Sequence, residues 1–117
     1  MVASAQGGVD IETVAHENPD AILTMPVDIK KGPTVEQTKK LAQQMGFTSK
    51  CVDQAAETMR NLYKLFIEKD ATMVEINPLA EAANGEGTIF NCASLQLFFD
   101  LLPIFFVLVS ILAMVGI

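Results

Sequence analysis

The sequence predicts a mixed α/β (α+β) unit, and three observations carry the prediction. Cys51 to Glu68 places Val52, Ala55, Ala56, Met59, Leu62, Tyr63, Phe66 and Ile67 on one stripe, the period of an amphipathic helix. Ala71–Pro78 instead alternates Thr72, Val74 and Ile76 with Met73, Glu75 and Asn77, the period of a strand with two unlike faces. Punctuation by Gly, Pro and Asn sets the remaining segments into the order β, α, β, α, α, β, β.

Taken along the chain, Met1–Ala5 reads as a strand end and Gln6-Gly7-Gly8 as a tight turn. Val9–Glu17 follows as a helix, with Asp10 and Glu12 in its first turn, where acids favour the positive end of the helix dipole. Asn18-Pro19 stops it. Ala21–Ile29 alternates from Leu23 onward, and Pro26 inside it predicts an edge strand or a bend. Gly32-Pro33 breaks the chain, Thr34 is the N-cap of a helix over Thr34–Met45, and Gly46 is its C-cap. After the long helix and the Ala71–Pro78 strand, Asn84-Gly85 signals a hairpin, with Thr88–Cys92 as the returning strand.

Charge and hydropathy split the chain into two pieces, 1–87 and 88–117. There are 8 Lys+Arg against 14 Asp+Glu, a net charge of −6, which argues against nucleic acid as a partner. All the bases and every acid except Asp100 fall within residues 1–87. From Leu101 to Ile117 only Pro103, Ser110 and Gly116 interrupt an apolar run. As a helix this run would be about 26 Å long at roughly 1.5 Å per residue, against about 30 Å for a bilayer core. Extending it back to Leu95 reaches the span but encloses Asp100 and Pro103, and no Lys or Arg flanks it. The expectation is a C-terminal hydrophobic helix, serving either as a transmembrane anchor over 95–117 or as a non-family tail from an alternative exon or retained intron. No signal or transit segment opens Met1–Gly8.

Two cysteines, Cys51 and Cys92, make no disulfide framework, and His16 has no partner at metal-ligand spacing. Chemistry is more legible at Glu75 and Asn77. Two apart on a strand, they project from one face and offer oxygen ligands suited to Mg²⁺, which prefers one or two protein oxygens together with substrate phosphates. The alternative is a strand face that merely stays wet. Gly7 and Gly8, just before a helix, could turn backbone N–H groups toward a phosphate, or could simply form a turn.

Five ordered blocks give the chain a resemblance. They are Gly-Gly-Val-Asp-Ile-Glu at 7–12, Pro-Val-Asp-Ile at 26–29, Leu-Ala-Gln-Gln-Met-Gly-Phe at 41–47, Leu-Tyr-Lys-Leu-Phe at 62–66 and Asp-Ala-Thr-Met-Val-Glu-Ile-Asn-Pro-Leu at 70–79. Together they resemble the beta subunit of succinyl-CoA synthetase (succinate–CoA ligase) over residues 1–87. The resemblance implies the second half of an ATP-grasp domain. It also implies a part in converting succinate, CoA and ATP (or GTP) to succinyl-CoA, ADP (or GDP) and phosphate in the tricarboxylic acid cycle. The wording of the last block leans toward the ADP-forming type.

By the same resemblance Asn77 would bind the nucleotide's Mg²⁺. Glu75 would lie beside the phosphohistidine that the alpha subunit brings to the nucleotide, so His16 is not that histidine. Gly7 and Gly8 would belong to the side of the domain facing the nucleotide. The alpha subunit would be the partner, and the mitochondrial matrix the place in a eukaryote, the cytoplasm otherwise. The departures are as specific. The family's second Mg²⁺ ligand is an Asp placed 14 residues after the Asn; the gapless position is Asn91, a neutral amide that would weaken the metal. The family's front half, with its nucleotide-binding lysine, and the C-terminal domain that meets the alpha subunit fall outside residues 1–87, which implies a chain inactive alone. The competing reading is a non-catalytic, membrane-anchored or subunit-binding protein that reuses an ATP-grasp piece.

Overall fold

Six strands form one sheet with helices on both faces, as seen in a computed structural model of the 117-residue chain. The structure describes residues 1–6 and 9–82 in full, and the strand segments 89–91, 95–98 and 108–115 as backbone. In chain order the strands are β1 (Val2–Ser4), β2 (Ile22–Thr24), β3 (Met73–Glu81), β4 (Ile89–Asn91), β5 (Leu95–Phe98) and β6 (Leu108–Val115). The helices are α1 (Ile11–Glu17), α2 (Val35–Gln44) and α3 (Val52–Glu68), with a short 3-10 turn at Pro19–Ala21.

The helix boundaries follow their caps. α1 starts two residues later than its apolar spacing suggests, because Asp10 acts as its N-cap and accepts from the N–H groups of Glu12 and Thr13. Thr34 and Gln37 form a reciprocal capping box at the start of α2. Gly46 ends that helix at φ +93, a left-handed conformation that glycine adopts without a Cβ clash. A second left-handed glycine, Gly32 at φ +77, lets the Asp28–Pro33 turn pass under the ring of Tyr63, whose hydroxyl donates to the Ile29 carbonyl. Pro26 lies just beyond β2, which is shorter than the alternation predicts and sits at the edge of the sheet as that proline requires.

The sheet order is β2-β1-β6-β3-β4. β6 runs parallel to both β1 and β3, so β1 and β3 point the same way. The other edge of β3 is shared: β5 pairs antiparallel with Met73–Ile76 and β4 with Leu79–Glu81. The expected hairpin return therefore exists as β4, while its turn, Asn84-Gly85, lies outside the described residues.

The hydrophobic helix expected for the tail is not found: Leu108–Val115 is a β-strand, and Leu95–Phe98 another. A short apolar run reads equally as a buried strand, and a strand flanked by parallel neighbours on both sides carries a near-continuous apolar sequence. Val109, Ile111 and Val115 supply the β-branched residues that favour it. Among the described residues no helix is long and apolar enough to cross a membrane, so the anchor over 95–117 loses the helix it was built on.

One face of the sheet carries the main core. Met1, Ala3 of β1, and Val74, Ile76 and Leu79 of β3 pack against Leu41, Ala42 and Met45 of the α2 region and Cys51, Ala55, Met59, Leu62 and Phe66 of the α3 region. Ile11 and Val14 of α1 pack on the opposite face with Val2, Ala21 and Ile22. Alternation along β3 breaks between Ile76 and Leu79, where the register against β6 shifts and the Asn77–Pro78 peptide is cis. Val74 and Ile76 face the α2–α3 core before the shift, and Leu79 faces it after, so odd positions replace even ones.

Candidate functional site

Strand parity places Glu75 and Asn77 on the face away from Val74 and Ile76, the face that α1 covers. The register agrees: Val2, which packs with α1, lies across Ser110 from Glu75. Because β1 and β3 run parallel, the segment leaving β1 at Ser4 emerges on the same side as the C-terminal half of β3. The Asn77 side-chain amide donates from Nδ2 to the Val9 carbonyl at 3.0 Å. A sequence separation of 68 makes this a tertiary contact, one that brings Asn77 to the residue just after the glycine pair.

The segment is held at its other end as well. Ser4, fully buried at the end of β1, accepts the Gln6 N–H on its Oγ at 3.1 Å. Beyond Val9 the Asp10 carboxylate binds the N–H groups of Glu12 and Thr13 and the Thr13 hydroxyl. The Thr13 hydroxyl above all, and then the two backbone donors, hold the Asp10 carboxyl below its ordinary value. Its oxygens thus serve the N-terminus of α1. Gly7 and Gly8 themselves lie outside the described residues, between two anchored neighbours.

As a cation site, the donors on this face are the carboxylate of Glu75 and the amide oxygen of Asn77. Among the described residues no group of three His, Cys, Asp or Glu side chains could enclose a metal. Two oxygen donors on one strand suit Mg²⁺ that takes its remaining ligands from phosphate and water, and do not suit a closed all-protein cage. Asn91, the gapless counterpart of the family's second ligand, pairs in β4 with Leu79, two residues past Asn77. His16 stands exposed in the last turn of α1.

Sequence reasoning missed a buried acid. Glu81 at the end of β3 is buried on the α3 side, where its carboxylate accepts the Thr48 N–H at 3.0 Å and the Thr48 hydroxyl. Burial pushes its carboxyl up, but the two Thr48 donors and the Cys51 thiol outweigh that and hold it below its ordinary value. Cys51 responds in the opposite sense: burial first, and then the Glu81 charge, push its thiol up. The register shift in β3 is what turns Glu81 inward. Unbroken alternation from Val74 would have sent it to the other face, so no periodic signal could have revealed it.

Comparison with known proteins follows this geometry. A family model described as "ATP-grasp domain" matches residues 1–81. The chain belongs to the ATP-grasp family. Among its relatives, the hydrogenosomal succinate–CoA ligase [ADP-forming] subunit beta of Neocallimastix frontalis is 64% identical over 86 residues, 74% of this chain and 20% of that protein. The mitochondrial ADP-forming subunit beta of Columba livia is 52% identical over 100 residues, 86% of this chain and 24% of that protein. The mitochondrial GDP-forming subunit beta of Dictyostelium discoideum is 57% identical over 86 residues, 74% of this chain and 20% of that protein. The chain thus spans about a fifth of the length of the curated relatives it matches. The resemblance seen in the five sequence blocks is to the right family, and the matched region ends at Glu81, the last residue of β3.

Proposed function

We propose that residues 1–87 form the nucleotide-side part of a succinate–CoA ligase beta subunit, contributing to the ATP- or GTP-coupled ligation of succinate to CoA. The observation that supports the reading is the Asn77–Val9 hydrogen bond, which brings Asn77 to the residue that follows the glycine pair in sequence. An amide oxygen and a carboxylate there suit a nucleotide's Mg²⁺, while glycines without side chains leave room for phosphate beside backbone N–H groups. When bound, Mg²⁺ would neutralise charge on the phosphate oxygens. Asn77 would hold that ion. Glu75 would accept a hydrogen bond from the imidazole of a phosphohistidine brought by the alpha subunit, keeping the ring oriented. The relatives' names favour a mitochondrial or hydrogenosomal setting, and the ADP-forming type heads them.

Titration calorimetry on the purified chain tests this. Mg²⁺-dependent binding of ADP or ATP, abolished by EDTA and weakened by Asn77→Ala, is the expected result. Nucleotide binding that is indifferent both to Mg²⁺ and to Asn77→Ala would overturn the assignment of the site, and absence of any binding would overturn the nucleotide role of this chain.

A further inference from the structure

The same asparagine explains a choice that cation chemistry alone does not. A carboxylate would bind Mg²⁺ more strongly than an amide, since it brings charge as well as an oxygen. An amide, however, also donates hydrogen, and an ionised carboxylate does not. At position 77 that donor is in use: Nδ2 reaches the Val9 carbonyl. We infer that Asn77 is a positioning residue for the Val9 backbone at the entry to α1, acting through its N–H group independently of any metal its oxygen holds. The inference rests on the proposed nucleotide site for its purpose, but not for its geometry.

The described contacts on either side of Val9 frame this hydrogen bond. Gln6 is already held by buried Ser4 at one end, and Asp10 is committed to α1 at the other. The Val9 side chain is 43% exposed and contributes little burial of its own. The carbonyl of Val9 is therefore a point at which the chain entering α1 is tied to β3. Aspartate at 77 would keep an oxygen for a cation but present a charge to that carbonyl in place of a donor. The acid of Glu75, two residues away on the same face, would add to the repulsion.

The experiment is hydrogen–deuterium exchange with carbonyl ¹³C NMR on the full chain, without nucleotide, for the natural sequence, Asn77→Asp and Asn77→Ala. Both variants should speed exchange at the amides of residues 9–14 roughly two- to tenfold, the change expected for one net hydrogen bond. Both should shift the Val9 carbonyl resonance, and both should leave α3 unchanged. Unaltered exchange and an unmoved Val9 resonance in Asn77→Asp would overturn the inference. So would acceleration spread evenly through α2 and α3, which would mark a merely structural residue. A parallel Mg²⁺ titration separates the two readings: a chain that loosens on Asn77→Asp yet never binds metal refutes the proposed site and leaves the tether standing.

Discussion

Replacing Glu81 by glutamine keeps the shape of the side chain and removes its charge. The carboxylate accepts two hydrogen bonds from Thr48 and one from the Cys51 thiol. Hydrogen bonds to a charged group contribute about 1.5–3 kcal/mol each, and a buried donor left without an acceptor costs about 1–3 kcal/mol. Glutamine retains one acceptor oxygen and sets an NH₂ against a donor, so the loss is about 2 kcal/mol or somewhat more. For a domain of this size, 2 kcal/mol lowers Tm by roughly 8–16 °C. The pH dependence is the sharper signature. The folded carboxyl lies below 4.5, its value when unfolded. Between those values the unfolded chain binds more protons, so the stabilisation is full above 4.5 and is lost as pH falls through the folded value. The gap between the natural chain and Glu81→Gln should therefore shrink on acidification. Urea unfolding followed by far-UV circular dichroism from pH 7 to pH 3 measures it. A variant within about 0.5 kcal/mol of the natural chain at pH 7, or a gap that does not narrow below 4.5, would refute the reasoning.

Three further outcomes follow from the same geometry. Thr34→Ala removes half of the capping box and should cost about 1 kcal/mol in urea unfolding. Gly32→Ala should lower Tm more than Gly46→Ala: both glycines sit at positive φ, but a Cβ at 32 would lie 2.6 Å from the Tyr63 ring, whereas at 46 nothing lies within 4 Å. The Cys51 thiol, fully buried and raised above 9.0, should resist alkylation at pH 8 in the folded chain and react promptly in urea, as peptide mass mapping would show. Because the thiol value is raised on folding, its contribution is full below 9.0 and declines as pH rises beyond it.

Local rules made much of the fold legible. The α3 stripe, the Thr34 cap, the glycine ending α2 and the alternation of β3 each depend on neighbours a few residues apart, and each stands in the structure at or within three residues of its expected place. The tail failed for a reason the sequence did not hold locally. Whether Leu108–Val115 becomes a helix or a strand depends on the parallel slot between β1 and β3, which are themselves far away in the chain. An apolar run carries no period to decide between the two.

The site divides along the same line. That Glu75 and Asn77 share a face was readable because a strand's period fixes which side chains lie together; the glycine pair falls outside the described residues. That Asn77 meets Val9 was not readable, since the contact depends on β1 and β3 running parallel with β6 between them. Glu81 was hidden by the converse effect. The register shift after Ile76 reverses inside and outside, so a residue that alternation assigns to the α1 face ends up holding the α2–α3 loop. The shift thus divides β3 into two working halves. Up to Asn77 the strand turns its polar side chains toward the α1 face; at Glu81 it turns one toward α2 and α3. One strand can therefore present a candidate ligand on one face and lock its own end to the core on the other.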